Sequence, residues 1–361
     1  MTGHAIHTID RARHPVHELR RTVPRPRRVL GAFAVVLLGS AVAYVAGFGA
    51  YGFVIGASDY LAQVPDVAAC HTPGTRFGWG YEAINYDPAD DARLVSYTPD
   101  LDDCGSQGEP AGHEVQSADG TGIAGWYIPA ASGMRATGPT VVMVHGGKSN
   151  KSGMLDYAPA LHRDYNLVIL DLRNSGRSGG TQSTGGLQER FDLRAMVDWL
   201  VEEKHPAWIA LLGNSNGAAT ALAEAVDDPR IRALVLDSMH ATIERQLTNV
   251  AATELHLPVW PGVPATILGV SMRLDEDITS VDPVRTIVRV GWRPVLLTHG
   301  TEDAIDRPEE SVDVNLAAAL AAGVDVRVER CDGAGHGKVV TTCGDAWADW
   351  VGDFLSEARA R

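Results

Sequence analysis

The sequence predicts an α/β fold, a mostly parallel central sheet flanked by helices. Three observations carry this. Short, near-continuous Val/Ile/Leu runs recur after Pro139, as strands buried on both faces require. Helical stretches alternate with them. At Gly213-Asn214-Ser215-Asn216-Gly217 an apolar run, Trp208–Leu212, gives way at once to an alanine-rich one, Ala218–Val226, which reads as strand, tight turn and helix.

Along the chain, residues 1–28 carry seven arginines against Asp10 and Glu18. With a formal net charge of -14 overall, the remainder is left at about -19, and so acidic a body argues against nucleic-acid binding. From Val29 to Ser58 no residue is charged, and the run exceeds the roughly 20 residues needed to cross a bilayer. We read residues 29–58 as a transmembrane helix rather than a cleaved signal peptide, whose apolar region should span only about 7–15 residues. Arg20, Arg21, Arg25, Arg27 and Arg28 just before it should stay cytoplasmic. The body is then expected outside the cytoplasm, anchored to the cell membrane by a single pass.

That compartment allows disulfides among Cys70, Cys104, Cys331 and Cys343. Three pairings are available. Sequence proximity favours Cys70 with Cys104 and Cys331 with Cys343; an inverted topology would instead leave four thiols. No metal site is expected, since neither C-x-x-C nor H-E-x-x-H spacing occurs.

Residues 59–112, rich in Pro, Gly, Asp and Tyr, read as a juxtamembrane linker with one early strand near Glu82–Tyr86. The domain proper is expected over 113–361. It should open with two strands, around His113–Ser117 and Ile123–Pro129, joined by an Asp119-Gly120 hairpin turn. Strand Thr140–His145, a helix at Tyr157–Arg163, strand Asn166–Asp171 and an amphipathic helix at Leu187–Lys204 follow. After strand Trp208–Leu212 come helix Asn216–Val226 and strand Ile231–Asp237. Strand Arg293–His299, helix Glu309–Ala322, strand Val324–Glu329 and a closing helix, Ala346–Ala358, complete the series. One long insertion, 239–292, interrupts it, with helical stretches at Thr242–Leu255 and Thr266–Arg273 and Pro258, Pro261 and Pro264 between them. An insertion at the edge where strands deliver their carboxyl ends is placed to cover a site; a peripheral decoration is the alternative.

The glycines flanking Ser215 have a physical reason, since a larger side chain would collide with the neighbouring strand or helix as the chain reverses. The turn also sets Ser215 at a helix N-terminus, which favours developing negative charge. A serine hydroxyl is a weak nucleophile at neutral pH and needs a base, which in turn needs an orienting acid. Strand-end loops supply both: Asp303 in Thr298-His299-Gly300-Thr301-Glu302-Asp303, and His336 in Asp332-Gly333-Ala334-Gly335-His336-Gly337. Alone, each would read as an ordinary loop residue; their joint order is what points to catalysis. N–H donors for an oxyanion are expected from Asn216 and from His145-Gly146-Gly147-Lys148, with Gly147 preferred and Lys148 second.

Taken together, His145-Gly146-Gly147, Asp171–Ser178, Gly213–Gly217, His299–Asp303 and Gly335-His336 resemble the α/β-hydrolase superfamily, specifically the serine hydrolases that include esterases, lipases and related peptidases. The resemblance runs from about His113 to the C-terminus. It implies the α/β-hydrolase fold, a Ser215–His336–Asp303 triad, a bracing role for the Asp171–Ser178 loop, and a substrate-shaping lid over 239–292. Asn214 and Asn216, where many relatives carry other residues, weaken any transfer of substrate class. The expected activity is cleavage of carboxylic esters, of small-molecule or lipid-like acyl substrates, through an acyl-enzyme and without a cofactor. Peptide or amide cleavage, and a catalytically silent anchored binding domain, are the alternatives.

Overall fold

The computed structural model describes residues 26–62, 71–84, 115–133, 135–255 and 258–361. The chain divides into two units, Met1–Ala46 and Gly47–Arg361. Described residues of the first are helical, the greater part of α1 (Pro26–Tyr51). The apolar stretch Phe33–Gly56, 24 residues, is long and apolar enough to cross a bilayer, a property shared by retained anchors and signal sequences.

In the second unit, Gly52–Gly56 form a π-helical turn, followed by α2 (Ala57–Tyr60) and α3 (Pro73–Phe77). Eight strands follow: β1 (Glu82–Ile84), β2 (Gly125–Ile128), β3 (Thr140–Val144), β4 (Asn166–Leu170), β5 (Ile209–Asn214), β6 (Ile231–Asp237), β7 (Val295–Gly300) and β8 (Val326–Cys331). They make one sheet in the order β1-β2-β4-β3-β5-β6-β7-β8. The pairs β1–β2 and β2–β4 are antiparallel, and the rest, from β4 to β8, are parallel.

Alternation along each strand sorts side chains onto two faces. On β3, Val142 and Val144 join one core with Leu193 and Met196 of α4 (Glu189–Lys204), Leu222 of α5 (Asn216–Asp227), Ile287 of α8 (Pro283–Ile287) and Val312 of α9 (Val312–Ala321). Val141 and Met143 point into the other core, against Trp347, Val351 and Phe354 of α10 (Val339–Ala360). Every residue of β3 and β4 is buried, which is why both read as unbroken apolar runs.

Four local expectations change. The hairpin keeps its turn, with Ser117 N–H donating to Thr121 O at 2.8 Å, but among the described residues its first strand keeps only an isolated bridge, Gln116 to Gly122. The reason is that β1 and β4 already occupy both edges of β2. The helix expected at Tyr157–Arg163 is replaced by 3₁₀ turns at Lys151–Asp156 and Ala158–Ala160, where the chain closes short i→i+3 steps, Tyr157 N–H donating to Met154 O at 3.1 Å and Leu161 N–H to Ala158 O at 3.0 Å. In the insertion, α6 (Ile243–Thr253) is capped by Thr242, whose hydroxyl accepts from Arg245 N–H. Helix α7 (Val259–Leu274) includes Pro261 and Pro264 instead of following them; regular geometry starts beyond Trp260, so Pro261 takes the first helical position, where no N–H is missed, and Pro264 lies inside the helix. Finally α10 begins at Val339, seven residues earlier than expected, and its dihedrals break at Gly344.

Cys331 and Cys343 are bonded, with Cα atoms 5.9 Å apart, as proximity predicted. The pairing expected of Cys70 with Cys104 lies outside the described residues.

Candidate active site

Strand β5 runs through Asn214 and hands over to α5 in one residue, Ser215, at φ 52° and ψ −119°. A positive φ at a non-glycine residue stores strain that only a tightly packed surround can hold. The two glycines permit that surround. A Cβ on Gly213 would lie 2.4 Å from Gly217 O, and one on Gly217 would lie 2.3 Å from Val144 O. Ser215 N–H is held by Asp237 O at 2.8 Å across the β5–β6 pair.

The loops after β7 and β8 bring the other two residues to the serine. Ser215 Oγ lies 2.9 Å from His336 Nε2, and His336 Nδ1 lies 2.8 Å from Asp303 Oδ2. Since a carboxylate only accepts, Nδ1 carries the proton and Nε2 offers its lone pair to the serine hydroxyl. Asp303 is buried, and its other oxygen, Oδ1, accepts from Ile305 N–H at 3.0 Å and Asp306 N–H at 2.8 Å. Burial opposes protonation of His336, but the hydrogen bond and charge of Asp303, with further help from Asp306 and Asp237, more than offset it. The imidazole pKa is raised above its ordinary 6.5. Such a relay can pass a serine proton to imidazole and stabilise the imidazolium that results.

Gly147 and Asn216 meet across the site, since a Cβ on Gly147 would lie 2.7 Å from Asn216 Nδ2. Neither backbone N–H has an acceptor among the described residues, and Asn216 is the first residue of α5. Lys148, the second candidate donor, takes a positive φ of 53° as the chain turns away. His145 is a buried brace: its Nε2 accepts from Leu172 N–H at 3.0 Å, so Nδ1 donates to Gly146 O at 2.8 Å, and burial keeps the ring neutral. The Asp171–Ser178 loop is likewise tied down. Asp171 accepts from Lys151 N–H at 2.7 Å and Lys151 Nζ at 2.6 Å, while Arg173 pairs with buried Asp192 at 2.6 Å.

Two carboxylates that sequence reasoning did not single out stand close by. Asp237, at the end of β6, accepts from Tyr157 Oη at 2.6 Å, Thr298 Oγ1 at 2.7 Å and Asn214 Nδ2 at 2.9 Å. This gives Asn214 a purpose, as it pins the turn to β6. Asp306 lies 3.7 Å from His336 Nδ1 and accepts from Gln246 of α6 at 3.1 Å. Burial first, then the charge of Asp303, pushes its pKa up to about 7. The i,i+3 spacing of Asp303 and Asp306 was visible in the sequence, but nothing local marks the second as buried beside an imidazole.

The serine and imidazole open into a cavity of about 580 Å³, within the range of small-ligand sites. Its apolar wall includes Tyr51 and Ile55 from the N-terminal helical segment and Leu247, Val250, Leu255 and Val263 from the insertion.

Residues 139–271 match the model of the alpha/beta hydrolase fold family. An uncharacterized protein of Mycobacterium tuberculosis strain H37Rv, Rv2307c, is 31% identical over 255 residues, spanning 69% of this chain and 80% of its own length. The chain belongs to the α/β-hydrolase family. Another relative of this α/β-hydrolase, the uncharacterized YqkD of Bacillus subtilis, is 29% identical over 201 residues, 55% of this chain and 64% of that protein. Among solved structures, the Pyrococcus furiosus esterase Pf2001 aligns with a TM-score of 0.62 at 21% identity, covering 82% of this chain and 98% of the esterase, a likeness of fold. Within that fold the serine turn, the acid loop and the histidine loop all lie at the carboxyl edge of the parallel strands, where such sheets place their sites.

The Cys331–Cys343 bridge closes a loop containing His336. A closed loop of this size stabilises by roughly 3 kcal/mol in the chain-entropy model. Opening it by Cys343→Ser should move the imidazole resonances of His336 more than it lowers helix and strand content, measured by NMR and far-UV circular dichroism on the same sample. Unchanged resonances would remove any role of the bridge in holding the histidine.

Proposed function

We propose that this α/β-hydrolase is a membrane-anchored serine hydrolase that cleaves carboxylic esters through an acyl-enzyme. The observation that carries the reading is the unbroken relay from Ser215 Oγ through His336 to Asp303, at 2.9 Å and 2.8 Å, on a strained turn. Ser215 Oγ attacks the ester carbonyl while His336 Nε2 takes its proton and Asp303 stabilises the imidazolium. The tetrahedral oxyanion is received by the N–H groups of Gly147 and Asn216, each worth about 2.7–4 kcal/mol by analogy with measured oxyanion donors. Collapse breaks the carbon–oxygen bond, and His336 returns the proton to the departing alcohol. Water then attacks the acyl-enzyme, with His336 again as base, and regenerates Ser215.

The insertion 239–292 acts as a lid that shapes the acyl pocket, a reading supported by the four insertion side chains in its wall. The apolar helix is retained as the anchor, with the arginine-rich residues 1–28 cytoplasmic and the body outside. Esters are preferred to amides because an alkoxide leaves more readily, so the site has less to supply. Treatment with a fluorophosphonate probe, followed by peptide mass mapping, tests the assignment. The adduct is expected on the peptide containing Ser215; an unlabelled chain, or an adduct elsewhere, would refute it.

A further inference from the structure

Helix α7 packs on the end of the apolar N-terminal stretch, within the unit Gly47–Arg361, through small residues. A Cβ on Gly52 would lie 2.3 Å from Gly262 O, and one on Gly269 would lie 2.5 Å from Phe53 O. Thr266 Oγ1 also donates to Gly52 O at 3.0 Å. Close backbone approach of this kind, with hydroxyl-to-carbonyl bonds between apolar helices, is how helices associate in lipid. Yet α7 lies some two hundred residues downstream and carries no charge before Arg273.

Apart from Arg273, whose guanidinium donates to Val54 O at 3.4 Å, its outward side chains are apolar too. Trp260 is 60% exposed, Leu268 55% and Met272 65%, while Val54 and Ile55 on the segment it packs against are about half exposed. Isolated apolar side chains on a protein surface need no explanation, but an exposed apolar patch carried by two packed elements marks an interaction face. Val54 and Ile55 belong to Phe33–Gly56, the stretch long and apolar enough to span a bilayer, which points to lipid as the matching surface. The same two elements wall the cavity, whose lining reaches the surface at Tyr51 and Leu255, 44% and 49% exposed.

We propose that α7, with the Gly52–Gly56 turn it packs on, docks onto the bilayer and that the cavity receives its substrate from the membrane, an ester whose long acyl chain resides in lipid. The proposal rests on the anchored serine-hydrolase reading and names the substrate class of that site. The acyl chain lies along the apolar wall, and the ester reaches Ser215 and His336 at the polar end. An apolar helix face seated at the acyl boundary, led by a tryptophan, is a common mode of interfacial attachment.

The test uses the full chain in phosphatidylcholine vesicles with two substrates, a fluorogenic long-chain ester dissolved in the bilayer and p-nitrophenyl acetate in the water. Leu268→Glu/Met272→Glu alters side chains that do not line the cavity. It is expected to lower turnover of the bilayer ester about tenfold or more, since charged side chains on the docking face oppose insertion, and to leave p-nitrophenyl acetate turnover close to wild type. Equal loss on both substrates, or no loss on the bilayer ester, overturns the proposal. Docking is read separately, without turnover, as quenching of tryptophan fluorescence by brominated phosphatidylcholine in wild type compared with Trp260→Phe. A quenched component lost in the variant supports docking, and identical quenching overturns it. If wild type fails to hydrolyse p-nitrophenyl acetate, the hydrolase reading fails, and the substrate assignment falls with it whatever the quenching shows.

Discussion

Ser215→Ala is expected to reduce kcat for ester hydrolysis on the order of 10⁶-fold, the scale of losing a serine nucleophile that acts as a unit with its histidine. The change removes one oxygen and leaves the fold in place. Alanine bears the same Cβ, so it sits at φ 52° with no more strain than serine, and the Ser215 N–H to Asp237 O bond at 2.8 Å does not involve the side chain. What disappears is the 2.9 Å contact with His336 and the oxygen proposed to form the acyl bond. Urea unfolding should therefore give an unchanged midpoint while single-turnover assays show no acyl-enzyme. Turnover within tenfold of wild type would mean that another group carries the chemistry.

Asp303→Asn is expected to lower kcat about 10⁴-fold, and here the reason is a tautomer. Oδ1 of Asp303 accepts two backbone N–H groups, from Ile305 and Asp306, so the oxygen of an asparagine stays on that side. Its NH₂ then faces His336 Nδ1 and must be met by a lone pair. That shifts the ring proton to Nε2, where it can no longer accept from Ser215. The pH dependence separates this residue from its neighbour. In wild type, His336 must be neutral to act as base, and its raised pKa means that kcat/KM falls as pH drops through a value above 6.5. Asp306→Asn keeps the relay but removes a nearby carboxylate whose pKa is about 7. The acid limb should move to lower pH with a far smaller loss on the plateau. A limb that stays in place would show that Asp306 does not act on the histidine.

Much of the site was legible because its requirements are local. A serine turn this tight needs Gly213 and Gly217, and the structure puts backbone oxygens where their side chains would be. The order of strand, loop and polar residue placed Asp303 and His336 on neighbouring loops, since consecutive parallel strands bring their carboxyl ends to one edge. The 3₁₀ turns at 151–160 are not legible, because the residue spacing of Tyr157–Arg163 fits a full helical turn as well as it fits short i→i+3 steps. Asp306 was missed because burial is not a local property of an Asp-Ala-Ile-Asp stretch.

The sequence by itself determined the alternation of strands and helices, the strained serine turn and the identity of the residues at three strand ends, because each follows from side-chain size, period or backbone restriction within a few residues. Only the tertiary structure decided that β1 from Glu82–Ile84 would take the edge of β2, that Asp306 would stand 3.7 Å from the histidine, and that Gly52 would press against Gly262 to wall the cavity. Contacts between segments so far apart depend on how whole surfaces fit when the core closes. No window of the chain contains both halves of such a contact.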